Sequence, residues 1–352
     1  MLLKNDIYSR QIDEALKKIG NSLKKLAGQR VFVTGASGMI GSCVVDMFLY
    51  LNERQKMGIQ IYAAGRNAEK IQKRFDGCRD KNDFHIVEWD AAREQELNLQ
   101  PDYIIHAAGN ADPLMFAEYP VDTLLANVLG VKTIMDLAIR CRTRRILYVS
   151  SGEMYGQPDG TVEAGFTEDY SGYVDYKDSR SCYPSGKRAA EALCQAYIRQ
   201  HGVDAVIVRP CHCYGPTMTE KDSRALSQFF RKAIKGEDIV LKSSGEVVRS
   251  HCYTVDAAAG MLRVLLEGER GEAYNIADPD SVVSIREAAE LIAGEAGQKV
   301  CFDIPEETEK RGYSKVSRAV LDSGKIYALG WRPQTGMRTG VRDTLKIMTN
   351  CF

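Results

Sequence analysis

Tyr183 and Lys187 stand four residues apart in the stretch CYPSGKR. On a helix, positions i and i+4 share a face. A lysine ammonium beside a phenol stabilises phenolate and draws the tyrosine pKa toward neutrality. Such a phenolate can take a proton from an alcohol while hydride leaves the same carbon. The hydride needs an acceptor, and residues 34–41, TGASGMIG, are suited to holding one. Gly35, Gly38 and Gly41 fall between an apolar strand and a helix. A dinucleotide diphosphate must approach backbone closely at a helix N-terminus, where free N–H groups and the helix dipole favour anions. Only glycine leaves that space. A glycine pattern alone is a weak signal, and the strand–turn–helix context makes this one strong. Ser37, Met39 and Ile40 lie between the glycines and join them as candidate cofactor contacts.

The second strand ends in Gly65-Arg66-Asn67, without the acidic residue that would accept from a ribose 2′-hydroxyl. Arg66 is either a solvated surface arginine or a partner for a 2′-phosphate or the adenine face. This weights the choice between NAD and NADP toward NADP. Cys211 and Cys213 flank His212, but no second ligand cluster accompanies them and there is no CxxC pair. The ten cysteines therefore read as free thiols of a reducing compartment, and no metal site is expected.

The elements that must position these groups follow a strand–turn–helix rhythm. RVFVTG, IQIYAAG, FHIVEWD, DYIIHAAG, RRILYVSS and DAVIVRP read as six apolar strands. Helices are predicted over IGSCVVDMFLYL, from Val121 to Arg140, and after Tyr183. Apolar strands alternating with helices imply a doubly wound parallel sheet covered on both faces, a Rossmann-type α/β fold. After Pro210 the rhythm loosens, with helices predicted over 224–234, 257–266 and 285–296. The expected organisation is a cofactor-binding domain over 30–210 with a return segment near 250–275. A smaller substrate-binding lobe would cover 211–249 and 276–352. Residues 1–29 form a separate amphipathic extension, with Ile12, Leu16, Ile19, Leu23 and Leu26 on one helical face. That face either docks on its own domain or meets another subunit.

Lys plus Arg equals Asp plus Glu at 47 each, so no global field favours nucleic acid or an anionic membrane. The first residues, MLLKNDIYSR, are too charged for a signal-peptide core, and no apolar run reaches the roughly 20 residues of a membrane helix. A cytoplasmic location is expected.

The GxxGxxG loop, the YxxxK pair and VSSGEMYG at 149–156 together resemble the extended short-chain dehydrogenase/reductases, the NAD-dependent epimerase/dehydratase group. The stretches at 106–132, 168–197 and 248–256 are most similar to UDP-glucuronate decarboxylase-like members. The resemblance implies a nucleotide-sugar enzyme that oxidises the sugar C4 hydroxyl to a ketone and then decarboxylates, dehydrates or epimerises, with its cofactor recycled. It implies that Ser151 binds the reacting oxygen, Asn127 completes the site, and Glu153 works beside C5. It also places Asp90 at the adenine, Ala107, Ala108 and Gly109 beneath the cofactor, and Pro210 at its edge. Tyr183 and Lys187 would touch the cofactor as well. Arg180, His212, Arg249 and Tyr253 would line the substrate, and a homodimer is implied. Two positions depart from the pattern. Gly152 stands where dehydratases carry aspartate and decarboxylases serine. His212 stands where asparagine is usual, and is a hydrogen-bonding substitute, a titrating group or a satisfied core histidine. An NADPH-dependent keto-sugar reductase, and more remotely a non-catalytic cofactor-sensing protein, remain as alternatives.

Overall fold

The computed structural model describes residues 2–78, 81–159, 162, 164–303 and 317–349. The chain opens with α1 (Asp6–Ile19), capped by the Asn5 side chain. Ile12, Leu16, Ile19, Leu23 and Leu26 are all buried in the core, so the apolar stripe is used within the chain itself. The helix does not continue through them. Gly20 adopts φ +68°, which costs a glycine little, and the backbone proceeds as tighter 3-10 turns over Gly20–Leu26.

The regular alternation follows: β1 (Arg30–Thr34), α2 (Met39–Gln55), β2 (Gln60–Gly65), α3 (Ala68–Arg74), β3 (Phe84–Glu88) and β4 (Tyr103–His106). Then come α4 (Pro113–Glu118), α5 (Pro120–Cys141), β5 (Arg145–Val149), α6 (Cys182–His201) and β6 (Ala205–Pro210). After β6 the chain adds β7 (His212–Tyr214), α7 (Ala225–Ile234), β8 (Ile239–Leu241), β9 (Val248–Tyr253) and α8 (Thr254–Glu267). It returns to the main sheet as β10 (Ala273–Ile276), a seventh strand whose apolar run is interrupted by Asn275. The remaining described elements are β11 (Asp278–Ser284), α9 (Ile285–Ala296), β12 (Val300–Phe302), β13 (Arg318–Ala319), α10 (Gly324–Ala328) and α11 (Met337–Thr349).

The main sheet is parallel throughout, in the order β10-β6-β5-β4-β1-β2-β3. Both faces are covered, which is why its strands are apolar nearly end to end. Helices α1, α2 and α8 pack one face, and α5 and α6 the other. A second sheet, β11-β9-β13 with β7 also on β9, lies beyond the carboxyl edge. The strand order reverses between β1 and β4, and in open α/β sheets ligands bind in the crevice at that point.

A buried polar network ties the main sheet to α6 and to the segment after β13. Arg209 on β6 faces Glu191 on α6 at 2.6 Å, both side chains only 9% exposed. Arg209 also donates to the Tyr155 hydroxyl (2.8 Å) and to the Glu168 carbonyl (2.6 Å). The Tyr155 hydroxyl donates to Asn275 Oδ1 on β10 (2.7 Å). Asn275 Nδ2 donates to the carbonyls of Phe166 and Asp322, each at 2.8 Å. Removing one partner of such a buried pair strands the other charge. Glu191→Ala is therefore expected to destabilise the fold by about 3–5 kcal/mol in urea titration, with Glu191→Gln milder because it keeps one acceptor.

Candidate active site

A cavity of about 950 Å³ opens at the carboxyl edge of the main sheet. Its floor on one side is the glycine loop. Gly35 has φ +68°, and a Cβ there would lie 2.6 Å from the Ala107 carbonyl oxygen. A Cβ on Gly41 would lie 2.3 Å from the Gly35 carbonyl oxygen. The loop is thus pressed against β4 and against itself, and side chains are sterically excluded. Helix α2 starts here with Gly38 as its N-cap and no side-chain cap. Its first N–H groups therefore lack the usual cap acceptor, at the positive end of the helix dipole. Gly35, Gly38, Met39, Ile40, Gly41, Ala107, Gly109 and Pro210 all line the cavity. This arrangement fits the diphosphate of a nicotinamide dinucleotide.

Other expected cofactor contacts lie off the cavity wall. Ala108 is held below it by its N–H bond to Thr34 Oγ1 (3.1 Å). Ser37 Oγ sits 3.7 Å from where a Gly65 Cβ would be, at the tip of β2. Arg66 is exposed just beyond that tip. Asp90 is turned into its own loop, accepting from the Ala92 N–H (3.0 Å) and facing Arg93 at 3.5 Å.

The reacting groups converge from β5 and α6. Ser151 ends β5, where its Oγ accepts from the Glu153 N–H (3.2 Å) and caps a short 3-10 turn, Gly152–Tyr155. Tyr183 and Lys187, one turn apart on α6, both line the cavity although only 5% and 4% exposed. Lys187 Nζ donates to the Val149 carbonyl (2.8 Å) and lies 5.7 Å from the Tyr183 ring centroid. Asn127 on α5 is buried, with Nδ2 donating to the Thr123 carbonyl and Oδ1 without a partner. A Cβ on Gly109 would lie 3.6 Å from that oxygen and 3.8 Å from Lys187 Nζ, so both groups converge behind the cavity wall.

The electrostatics correct one expectation. Burial and the nearby Glu153 carboxylate push the Tyr183 phenol up to about 12, outweighing a Ser151 hydrogen bond and the Arg224 and Arg180 cations. Burial also draws Lys187 down to about 8. In this geometry the lysine does not bring the phenol toward neutrality. Burial likewise holds His212 well below its ordinary pKa, aided by His251, Arg249 and Arg224, so it does not titrate near neutral pH.

Cations gather on the opposite wall. Arg180 meets Glu153 through both terminal nitrogens at 3.2 Å, leaving Glu153 Oε1 outside that contact. Arg249 on β9 is 5% exposed, and burial lowers its pKa to about 10 while Glu153 supports its charge. Arg224, unremarked in the sequence, also lines the cavity, held by Asp222 and reaching Met39 Sδ at 3.7 Å. Lys242 joins the same wall. No spacing rule could have found either, because the turn before α7 and the end of β8 reach the cavity only through the tertiary fold. Tyr253, expected at the substrate, is placed elsewhere. It is the last residue of β9, beside the start of α8, and its hydroxyl donates to Gln11 Oε1 of α1 (2.9 Å).

Residues 31–277 match the NAD dependent epimerase/dehydratase family. The chain belongs to that family. Its relatives include UDP-glucuronic acid decarboxylase 6 of Arabidopsis thaliana, 32% identical over 318 residues, covering 90% of this chain and 87% of the relative. UDP-glucuronic acid decarboxylase 1 of Xenopus tropicalis is 27% identical over 90% of this chain and 71% of its own length. Among solved structures, UDP-glucose 4-epimerase of Thermotoga maritima superposes with a TM-score of 0.77 at 19% identity, covering 92% of this chain and 99% of that one. The dTDP-glucose 4,6-dehydratase of Streptomyces venezuelae, solved with NAD bound, gives 0.76 at 24% identity over 91% and 97%. Both structures share the fold described above. As a member of an enzyme family defined by NAD dependence, the protein takes a nicotinamide cofactor.

The buried Lys187 has a measurable consequence. Its pKa falls from 10.5 to about 8 on folding. Between those values the unfolded chain binds more protons, so stability rises with pH across that window. The drop corresponds to a cost of about 3 kcal/mol at pH 7. Lys187→Met should therefore stabilise the cofactor-free protein at pH 7 by about 2 kcal/mol, after about 1 kcal/mol is deducted for the lost bond to Val149. Urea titrations should show that gain shrinking above pH 8 and gone by pH 10.5.

Proposed function

We propose that the protein modifies a nucleotide sugar, UDP- or dTDP-linked, through transient oxidation of the C4 hydroxyl. The observation that carries the reading is the convergence of Ser151, Tyr183, Lys187 and Glu153 on one cavity beside the glycine loop. When bound, the nicotinamide supplies a hydride acceptor and, in its oxidised form, a positive charge. Tyr183 takes the hydroxyl proton, and Ser151 holds the oxygen at its side. Lys187 stays hydrogen-bonded to the end of β5 and supplies the local positive charge. Oxidation acidifies the neighbouring C5–H, and Glu153, ion-paired with Arg180 at 3.2 Å, is the group suited to accept that proton. Arg180, Arg224 and Arg249 are suited to the diphosphate or to a sugar carboxylate. Asn127, with its unpaired Oδ1 near Lys187, completes the site. His212 serves as a neutral hydrogen-bonding group.

Decarboxylation of a UDP-uronate is the second step we favour, because curated relatives bearing that activity match over nine-tenths of the chain. The division into a cofactor-binding body over 30–210 with its 250–275 return, and a substrate lobe over 211–249 and 276–352, belongs to the same proposal. Residues 304–316 and 350–352 of that lobe lie outside the described residues. A reductase that consumes NADPH is the second reading, supported by Arg66 standing exposed beyond the tip of β2, where Gly65-Arg66-Asn67 carries no acidic residue.

Mass spectrometry of UDP-glucuronate incubated separately with NAD and with NADP separates these readings. Loss of carbon dioxide is the expected result. An unchanged mass with a new chromatographic peak means epimerisation, and stoichiometric loss of NADPH on a 4-keto sugar means the reductase. Tyr183→Phe should lower turnover at least a thousandfold while cofactor binding stays within about twofold. Full activity in that variant would remove Tyr183 from the chemistry.

A homodimer is part of the proposal. Val121 (67% exposed), Tyr119, Leu124 and Leu125 form an uncovered apolar patch at the start of α5. Light scattering should show a dimer that Val121→Asp converts to monomer.

A further inference from the structure

Gly152 lines the cavity between Ser151 and Glu153. The space a side chain would take there is already filled. A Cβ on Gly152 would lie 3.0 and 3.2 Å from the two methyl carbons of Leu321. Leu321 also lines the cavity, yet is only 5% exposed. It is not a mobile rim residue. Its N–H donates to Ser250 Oγ (3.0 Å), and its backbone bridges Phe166. Its side chain packs with Tyr155, Phe166 and Ala277. Ala319, two residues earlier on β13, lines the same wall and pairs in register with Arg249. Beside the Glu153 carboxylate the cavity therefore presents Gly152, Leu321 and Ala319, none with a side chain that can donate or accept a proton.

We infer that Leu321, closed against Gly152, is a specificity-determining residue of this site. It builds an aprotic wall that accepts a C–H surface and disfavours an exocyclic hydroxyl. The inference rests on the nucleotide-sugar reading above. A hydroxyl pressed on this wall loses its water and gains no partner. Nor can the wall protonate a departing hydroxyl, so elimination of water finds no acid from position 152. The preferred substrate carries on the carbon next to the ketone either nothing beyond hydrogen, as in a pentose, or a carboxylate that the neighbouring arginines can hold. Apolar pockets discriminate against an added hydroxyl by roughly ten- to a hundredfold, which sets the scale.

The test is calorimetric titration of the cofactor-loaded protein in the Tyr183→Phe background, which holds turnover still. The probes are UDP, dTDP, UDP-xylose and UDP-glucose. UDP-xylose is expected to bind about tenfold tighter than UDP-glucose. Leu321→Asn, of similar volume but hydrogen-bonding, should bring the two within about twofold and leave UDP unchanged. Leu321→Ala, which opens the wall to water, should narrow the ratio in the same direction and serves if the asparagine variant does not fold. A ratio near one in the parent, or a ratio unmoved by both substitutions, overturns the inference. Failure of both UDP and dTDP to bind overturns the nucleotide-sugar reading instead. An independent check is thermal: Gly152→Ala should lower the melting temperature in the Leu321 protein and have little effect once Leu321→Ala has cleared the space.

Discussion

The Arg209–Glu191 ion pair is the interaction on which the geometry of this site depends. One guanidinium, on the penultimate residue of β6, grips α6, the helix that carries Tyr183 and Lys187. The same guanidinium holds the Tyr155 hydroxyl, at the end of the turn that begins with Ser151. Through Tyr155 and Asn275 it reaches the carbonyl of Asp322, beside Leu321. Tyr183, Ser151 and Leu321 belong to three segments apart in sequence, and one buried network reaches all three. A charge with so little exposure tolerates no half-satisfied arrangement, so the network specifies geometry as well as stabilising the fold.

A second constraint is steric. The glycine loop leaves no room for side chains because β1 and β4 are neighbours where the strand order reverses. The helix behind it, α2, is anchored from the far side. The Tyr8 hydroxyl donates to Asp46 (2.8 Å), a buried carboxylate on α2 that also pairs with Arg74 of α3. The amino-terminal helix thereby braces the element whose N-terminus faces the cavity. Tyr253 belongs to the same brace through Gln11, and Gln11 in turn donates to Asp343 of α11 (2.9 Å).

Electrostatically the cavity is divided. Around Tyr183 and Lys187 burial dominates, and it disfavours both charged forms. On the facing wall Arg180 and Arg249 stand near Glu153, while Arg224 is paired with Asp222.

The fold class was legible in the sequence because apolar strands alternating with helices have few other solutions. The glycine loop was legible for the same kind of reason: a close backbone approach leaves one residue type possible. The pairing of Tyr183 with Lys187 followed from helical spacing, and six of the seven main strands from their continuous apolarity. The seventh, AYNI, was hidden because the polar Asn275 interrupts its apolar run. The sequence did not determine what distant segments bring to the cavity. Arg224 and Leu321 enter it from the turn before α7 and from the segment after β13, and the Tyr253 hydroxyl is bonded to Gln11 of α1 instead. Nor could helical spacing say how far burial would raise the Tyr183 phenol. Local periodicity encodes which face of an element is buried. Only the tertiary structure decides which other segment lies across from it, and so which charges and walls a reacting group meets.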